Sequence, residues 1–172
     1  MRDALRIDPD SADTRLNLAT TLLRAGNFAE GWQCFEARYD GRLSERIVIP
    51  PQTACPQWRG EPLAGRSLVV VTEQGFGDTI QFCRYLTVLK LRGAATLTVV
   101  CPPALVALIE SVDGVTQCTT PDALHALPPH DYWCFLMSLP AHRNDARQHS
   151  GRDALSASGC GARRILAKPA AR

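Results

Sequence analysis

Apolar positions change their period along this chain. Over residues 12–38 they recur at helical spacing. Leu16, Ala19, Leu22 and Leu23 form one face, and Phe28, Trp32, Phe35 and Tyr39 then follow at i, i+4, i+7 and i+11. Gly26 and Asn27 separate the two stretches, so the pattern predicts two antiparallel helices with Ser11 or Asp10 as the first cap. Residues 3–7 read as a shorter helix that stops at Asp8 and Pro9. Periodicity fades over 40–66, where Pro50, Pro51, Pro56 and Pro62 mark a connector with Trp58 as its ordered anchor. Beyond it, short apolar runs alternate with helical ones. Strands are predicted at 68–72, 96–101, 115–118 and 132–137, and helices at 78–91 and 103–112. The strand runs are continuously apolar, as expected when both faces of a sheet are covered. The alternation predicts an α/β fold built on a parallel, doubly wound sheet.

Composition narrows the class. The 172 residues are 45% hydrophobic and 21% charged, typical of a globular protein, and no apolar run approaches a bilayer span. The first residues lack the apolar core of a signal peptide, so a cytoplasmic location and no membrane span are expected. Seven cysteines (Cys34, Cys55, Cys83, Cys101, Cys118, Cys134 and Cys160) are scattered without a C-x-x-C pair and read as reduced core thiols. His125, His130, His142 and His149 match no ligand spacing, so neither a metal nor a cofactor is expected. The net charge of +2 hides an asymmetry. Residues 143–172 hold six Arg and one Lys against two Asp, which is +5 and leaves −3 for the rest. That basic tail has no interleaved aromatics, and nucleic acid is not expected as a partner.

The chemistry concentrates where the first predicted strand meets a helix. Glu73, Gln74, Gly75, Phe76, Gly77 and Asp78 follow Leu68, Val69, Val70, Val71 and Thr72, and a helical pattern starts at Thr79. Such a junction turns backbone N–H groups and a positive helix end toward a crevice, which suits an anionic ligand. Asp78 reads two ways: as a helix cap, or as a carboxylate that acts on a bound group. Arg84 and Tyr85 suit packing as well as ligand contact. The glycines form neither a G-x-G-x-x-G fingerprint nor a P-loop, so dinucleotide binding is not expected.

Two blocks carry a resemblance. Leu18, Ala19, Leu22, the Gly26-Asn27-Phe28 turn and Phe35, preceded by residues 4–9, resemble a tetratricopeptide repeat with the end of an earlier one, although Gly31 stands where the repeat has alanine. An unrelated helical hairpin is the alternative. Residues 58–65, the stretch 73–85, Asp131-Tyr132-Trp133 and the block 136–140 closely resemble bacterial proteins in which such repeats precede a glycosyltransferase domain. That domain is similar to the heptosyltransferases and to the O-linked N-acetylglucosamine transferases. The resemblance implies a two-lobe, B-type transferase whose first Rossmann-like half holds the acceptor and whose second holds a nucleotide sugar. It implies a catalytic base at Asp78, with Gln74, Gly75, Phe76, Gly77 and Thr79 at the substrate. The expected organisation is a repeat over 1–40, a linker over 41–66, the first Rossmann-like half over 67–140 and a disordered tail over 141–172.

The tail also suggests truncation. Arg, Ala and Gly make up 16 of its last 30 residues, and the α/β pattern stops at Arg143. Reading a permissible back-translation of 143–156 one base later yields a segment resembling the continuation of the same domain. A frameshift between about 139 and 143 is therefore expected alongside plain disorder, with one lobe inactive alone. Two rival readings are a protein-interaction module built on the repeat, and a complete small-molecule domain using the crevice above 75–78.

Overall fold

A computed structural model describes residues 1–45, 48–73 and 75–142. Gln74, expected at the substrate, and residues 143–172 of the tail on which disorder and a frameshift were expected lie outside the described residues. Residues 141 and 142 of that tail are ordered as the end of a 3-10 stretch. The described residues divide into two compact units, Met1–Gln52 with residues 140–142, and Thr53–Leu139.

The first unit is helical. Helix α1 (Arg2–Ile7) precedes α2 (Ala12–Arg24) and α3 (Phe28–Phe35). Ser11 caps α2, its side chain accepting from the Thr14 N–H at 3.3 Å. The turn after α2 is a Schellman motif. Gly26 takes φ +78°, its N–H reaches the Leu23 carbonyl, and the Asn27 N–H reaches that of Leu22. Gly31 is buried, and a Cβ there would come within 2.8 Å of the Leu23 side chain, which fills the space an alanine would need. The aromatic stripe does not extend one regular helix. After Phe35 the chain tightens into a 3-10 turn (Glu36–Tyr39) around a nearly inaccessible Arg38. The Arg38 guanidinium lies 4.7 Å from the Phe35 ring centre and 5.1 Å from that of Tyr39, and it pairs with Glu36 at 2.8 Å. A cation with so little water contact must be satisfied locally, and the stripe does that work.

The second unit is a four-stranded sheet with helices, so this part of the chain is α/β. Strands β1 (Ser67–Val71), β2 (Thr96–Val100), β3 (Gln117–Thr119) and β4 (Tyr132–Phe135) lie in the order β3-β2-β1-β4, every pair parallel. Leu68, Val69, Val70, Leu97, Thr98 and Val99 are all buried, as the continuous apolar runs predict. The edge of β4 is covered by the connector. The Trp58 N–H donates to the Trp133 carbonyl at 2.7 Å, and the Trp133 N–H to that of Pro56 at 3.0 Å. Trp58 itself is 1% exposed, with its indole N–H on the Glu61 carbonyl.

Several boundaries differ from expectation. The long helix predicted over 78–91 divides at Cys83 into α4 (Phe76–Phe82) and α5 (Arg84–Leu91). There the Leu86 N–H bonds the Cys83 carbonyl at three-residue spacing, and the Cys83 thiol reaches back to the Ile80 carbonyl. The helix predicted over 103–112 is a 3-10 turn (Pro103–Leu105) followed by the short α6 (Val106–Glu110). Strand β4 ends at Phe135 because its partner β1 ends at Val71, and a 3-10 stretch (Leu136–His142) continues from it. Among the described residues no helix is long and apolar enough to cross a membrane.

Candidate functional site

All four strands run the same way, so their carboxyl ends share one end of the sheet. Order reverses at β1, which pairs with β2 on one side and β4 on the other. Ligands of open parallel sheets seat outside the carboxyl ends at such a reversal. The chain leaves β1 there: Thr72 donates its N–H to the Val100 carbonyl, half-buried Glu73 follows, and α4 begins.

The turn is built around Gly75, which occupies the N-cap position of α4. Thr79 donates both its N–H, at 3.1 Å, and its hydroxyl, at 3.2 Å, to the Gly75 carbonyl. Thr79 is 2% exposed, so it reaches a ligand only through the glycine it fixes. Asp78 is half-buried in the first turn of α4, and one carboxylate oxygen lies 3.9 Å from where a Cβ on Gly75 would sit. Among the described residues no hydrogen-bond donor is spent on that carboxylate. A Cβ on Gly77 would meet no atom within 4 Å. One helical turn apart, Phe76 and Ile80 stand 53% and 49% exposed. Asp78 therefore offers an uncommitted proton acceptor beside an open backbone and two exposed apolar side chains. Arg84 lies over the rings of Tyr85 (5.1 Å) and Phe82 (5.7 Å), and Tyr85 is buried and stacked on Phe82, which is a packing role.

The amino end of the same sheet is closed. Asp131 accepts from the Ser67 N–H (2.8 Å), the Ser67 hydroxyl (2.7 Å) and Arg66 (2.8 Å). These bonds, the Ser67 backbone first, hold its carboxyl down at about 2. Nearby, the His130 ring bridges the Pro128 carbonyl (2.7 Å) and the buried Thr98 hydroxyl (3.0 Å). A carbonyl can only accept, so Nδ1 carries a proton, and in the neutral ring Nε2 accepts from Thr98. Asp131 and Trp133, two of the residues that carry the family resemblance, thus hold the sheet together at positions remote from the turn along β1.

Sequence reading missed one pair. The sulfurs of Cys101 and Cys118 lie 3.3 Å apart, and both residues are free thiols. Burial, the neighbouring Cys101 and the charge of Glu110 push the Cys118 thiol up to about 12, and burial likewise raises Cys101. The residues are too far apart in sequence to form a motif, and only the β2–β3 register joins them. Among the described residues no three His, Cys, Asp or Glu side chains converge as metal ligands would.

No family model matches the chain, and no solved structure matches it. Protein FlbA of Caulobacter vibrioides is 38% identical to it over 79 residues, which is 45% of this chain and 13% of that relative. The match thus spans a small part of FlbA's length.

Proposed function

We propose that residues 67–140 are the acceptor-side, Rossmann-like lobe of a two-lobe B-type glycosyltransferase, and that residues 1–40 are a tetratricopeptide repeat with the end of an earlier one. The reading rests on the motif resemblance. The observation that carries it further is the position of Asp78, half-buried and uncommitted among the described residues, on the turn leaving β1 where strand order reverses. In this role Asp78 takes the proton from an acceptor hydroxyl. That oxygen bonds to the anomeric carbon of the donor sugar, and the bond from the same carbon to the nucleotide's phosphate oxygen breaks. Gly75 and Gly77 let the acceptor approach the backbone, and Phe76 offers a face for a sugar ring. A second lobe holds the nucleotide sugar, so this lobe alone binds acceptor without turning it over.

Saturation-transfer NMR with a panel of saccharide acceptors and nucleotide sugars tests the reading. Acceptor signals are expected with the wild-type chain and should vanish in Gly77→Leu while its circular dichroism is unchanged. A folded wild-type chain that contacts no saccharide refutes the proposal. Tight nucleotide-sugar binding by these 172 residues would instead overturn the one-lobe account. The second reading, an interaction module on the repeat, is favoured by the separate compactness of the helical unit. It predicts partner capture that survives Asp78→Ala and fails in Trp32→Ala.

A further inference from the structure

The β2–β3 pairing brings together two thiols that the proposed transfer chemistry does not use. Val99 faces Cys118 across the ladder, so Cys101, two residues further along, projects to the same side as Cys118. The Cys101 N–H bonds the Thr119 carbonyl at 3.0 Å, which fixes the backbones next to each other, and the sulfurs meet at 3.3 Å. Accessibility is unequal. Cys101 is 0% exposed, whereas Cys118 is half-buried and belongs to a three-residue strand that among the described residues pairs on one side alone.

We propose that Cys101 and Cys118 form a dithiol site that a small-molecule disulfide oxidises to an intramolecular cystine. Cys118, the more accessible thiol, reacts first. Its thiolate attacks one sulfur of oxidised glutathione, the glutathione S–S bond breaks, and one glutathione thiolate leaves and takes up a proton. The Cys101 thiolate then attacks the Cys118 sulfur, and the second glutathione leaves. Two protein thiols are oxidised and one glutathione disulfide becomes two thiols. The sulfurs must close by about 1.3 Å to reach bonding distance near 2.05 Å. Cys101 lies just past the last residue of β2, and Cys118 lies on the short edge strand, so both can shift without breaking the central β1–β2 ladder. The thiolate of Cys118 is scarce at neutral pH, because burial, Cys101 and Glu110 all disfavour it. Closure is therefore slow there and faster in mild alkali. The cystine ties the exit of β2 to the edge strand at the sheet end that carries the turn at 75–78, and it closes a loop through α6.

Three half-buried thiols serve as internal controls. Cys34, Cys55 and Cys83 are free, and among the described residues none has a second sulfur within hydrogen-bond distance. The purified chain is incubated with oxidised glutathione in mild alkali, blocked with an alkylating agent and cut by trypsin and by proteases acting at Glu110 and Asp122. These cuts, which also act at Asp113, place Cys101 on segment 93–110 and Cys118 on segment 113–121. The expected product is the two segments joined and lighter by two hydrogens. The melting temperature of the oxidised chain should rise by about 5 °C or more, since the bond restricts the unfolded chain. Cys101→Ser should arrest the reaction with glutathione on Cys118, and Cys118→Ser should give neither adduct nor join. Glutathione retained on wild-type Cys118 beside a free Cys101 would overturn the proposal. So would a Cys118 that stays reduced while Cys34, Cys55 and Cys83 react, or one joined to a different cysteine. If a variant fails to fold, peptide mapping of the wild-type chain still decides.

Discussion

The two ends of the parallel sheet are built on opposite terms. At the amino end, Asp131 gathers the Ser67 N–H, the Ser67 hydroxyl and Arg66, while His130 engages Thr98 and Pro128 with both ring nitrogens. Polar groups there are consumed by one another. At the carboxyl end, the Asp78 carboxylate receives no donor among the described residues, Gly77 leaves space, and Phe76 and Ile80 stand exposed. Under the proposed function, the difference follows from what each end does. Groups that hold strands together gain by mutual satisfaction, whereas groups that act on a ligand must keep their bonding capacity for it.

Breaking the closed part should cost stability, and altering the open part should cost little. The largest effect is expected from Trp58→Ala. It removes a fully buried indole from the segment that covers β4, and it should destabilise the second unit by about 3–5 kcal/mol in a denaturant titration. Asp131→Asn should come next and should also change the pH profile. The folded carboxyl titrates at about 2 and an unfolded one near the ordinary value of about 3.9. On acidification the unfolded chain takes up this proton first, so the stabilisation is complete above about 4 and is lost as pH falls toward about 2. Unfolding midpoints of the wild type should drop across that window, and those of Asp131→Asn should drop less. Equal slopes in the two proteins would show that this end is not held by the carboxylate.

On the open side the signs reverse. Gly77→Ala places a methyl in free space on a helical residue and should leave the fold unchanged or stabilise it by roughly 0.5–1 kcal/mol. It should weaken saccharide contacts in the same NMR panel. The smallest stability effect is expected for Asp78→Asn, within roughly 0.5 kcal/mol, since the lost carboxylate contributes to the short helix only through its charge in the first turn. In a protein carrying both lobes, the same change should remove most turnover. A large loss of stability in Asp78→Asn would mean that the carboxylate is structural.

Much of this contrast was visible before folding is considered. The β-branched run before Gly75 announced β1, and the glycines announced a turn after it. Trp58 stood out as the one anchor in a proline-rich connector. Boundaries were harder to read, because strand ends depend on partners: β4 stops at Phe135 where β1 stops at Val71. The division of the helix at Cys83 comes with a bond from the Leu86 N–H to the Cys83 carbonyl and one from the Cys83 thiol to the Ile80 carbonyl, which no periodicity encodes. Asp131 drew notice as part of a motif, and its acceptor role toward Ser67 emerges only where residues 64 apart become neighbours.

By itself the sequence determined the element types, the alternation that makes the second unit α/β, and the turn carrying Asp78. These follow from local periodicity and from the conformational range of glycine, which act within a few residues. Tertiary structure decided the strand order, and with it that the turn lies where β1 separates β2 from β4. It also decided that Thr79 faces inward, that Arg38 is enclosed by its own aromatic stripe, and that Cys101 meets Cys118. Those outcomes depend on register and burial between distant segments, and no local pattern specifies either.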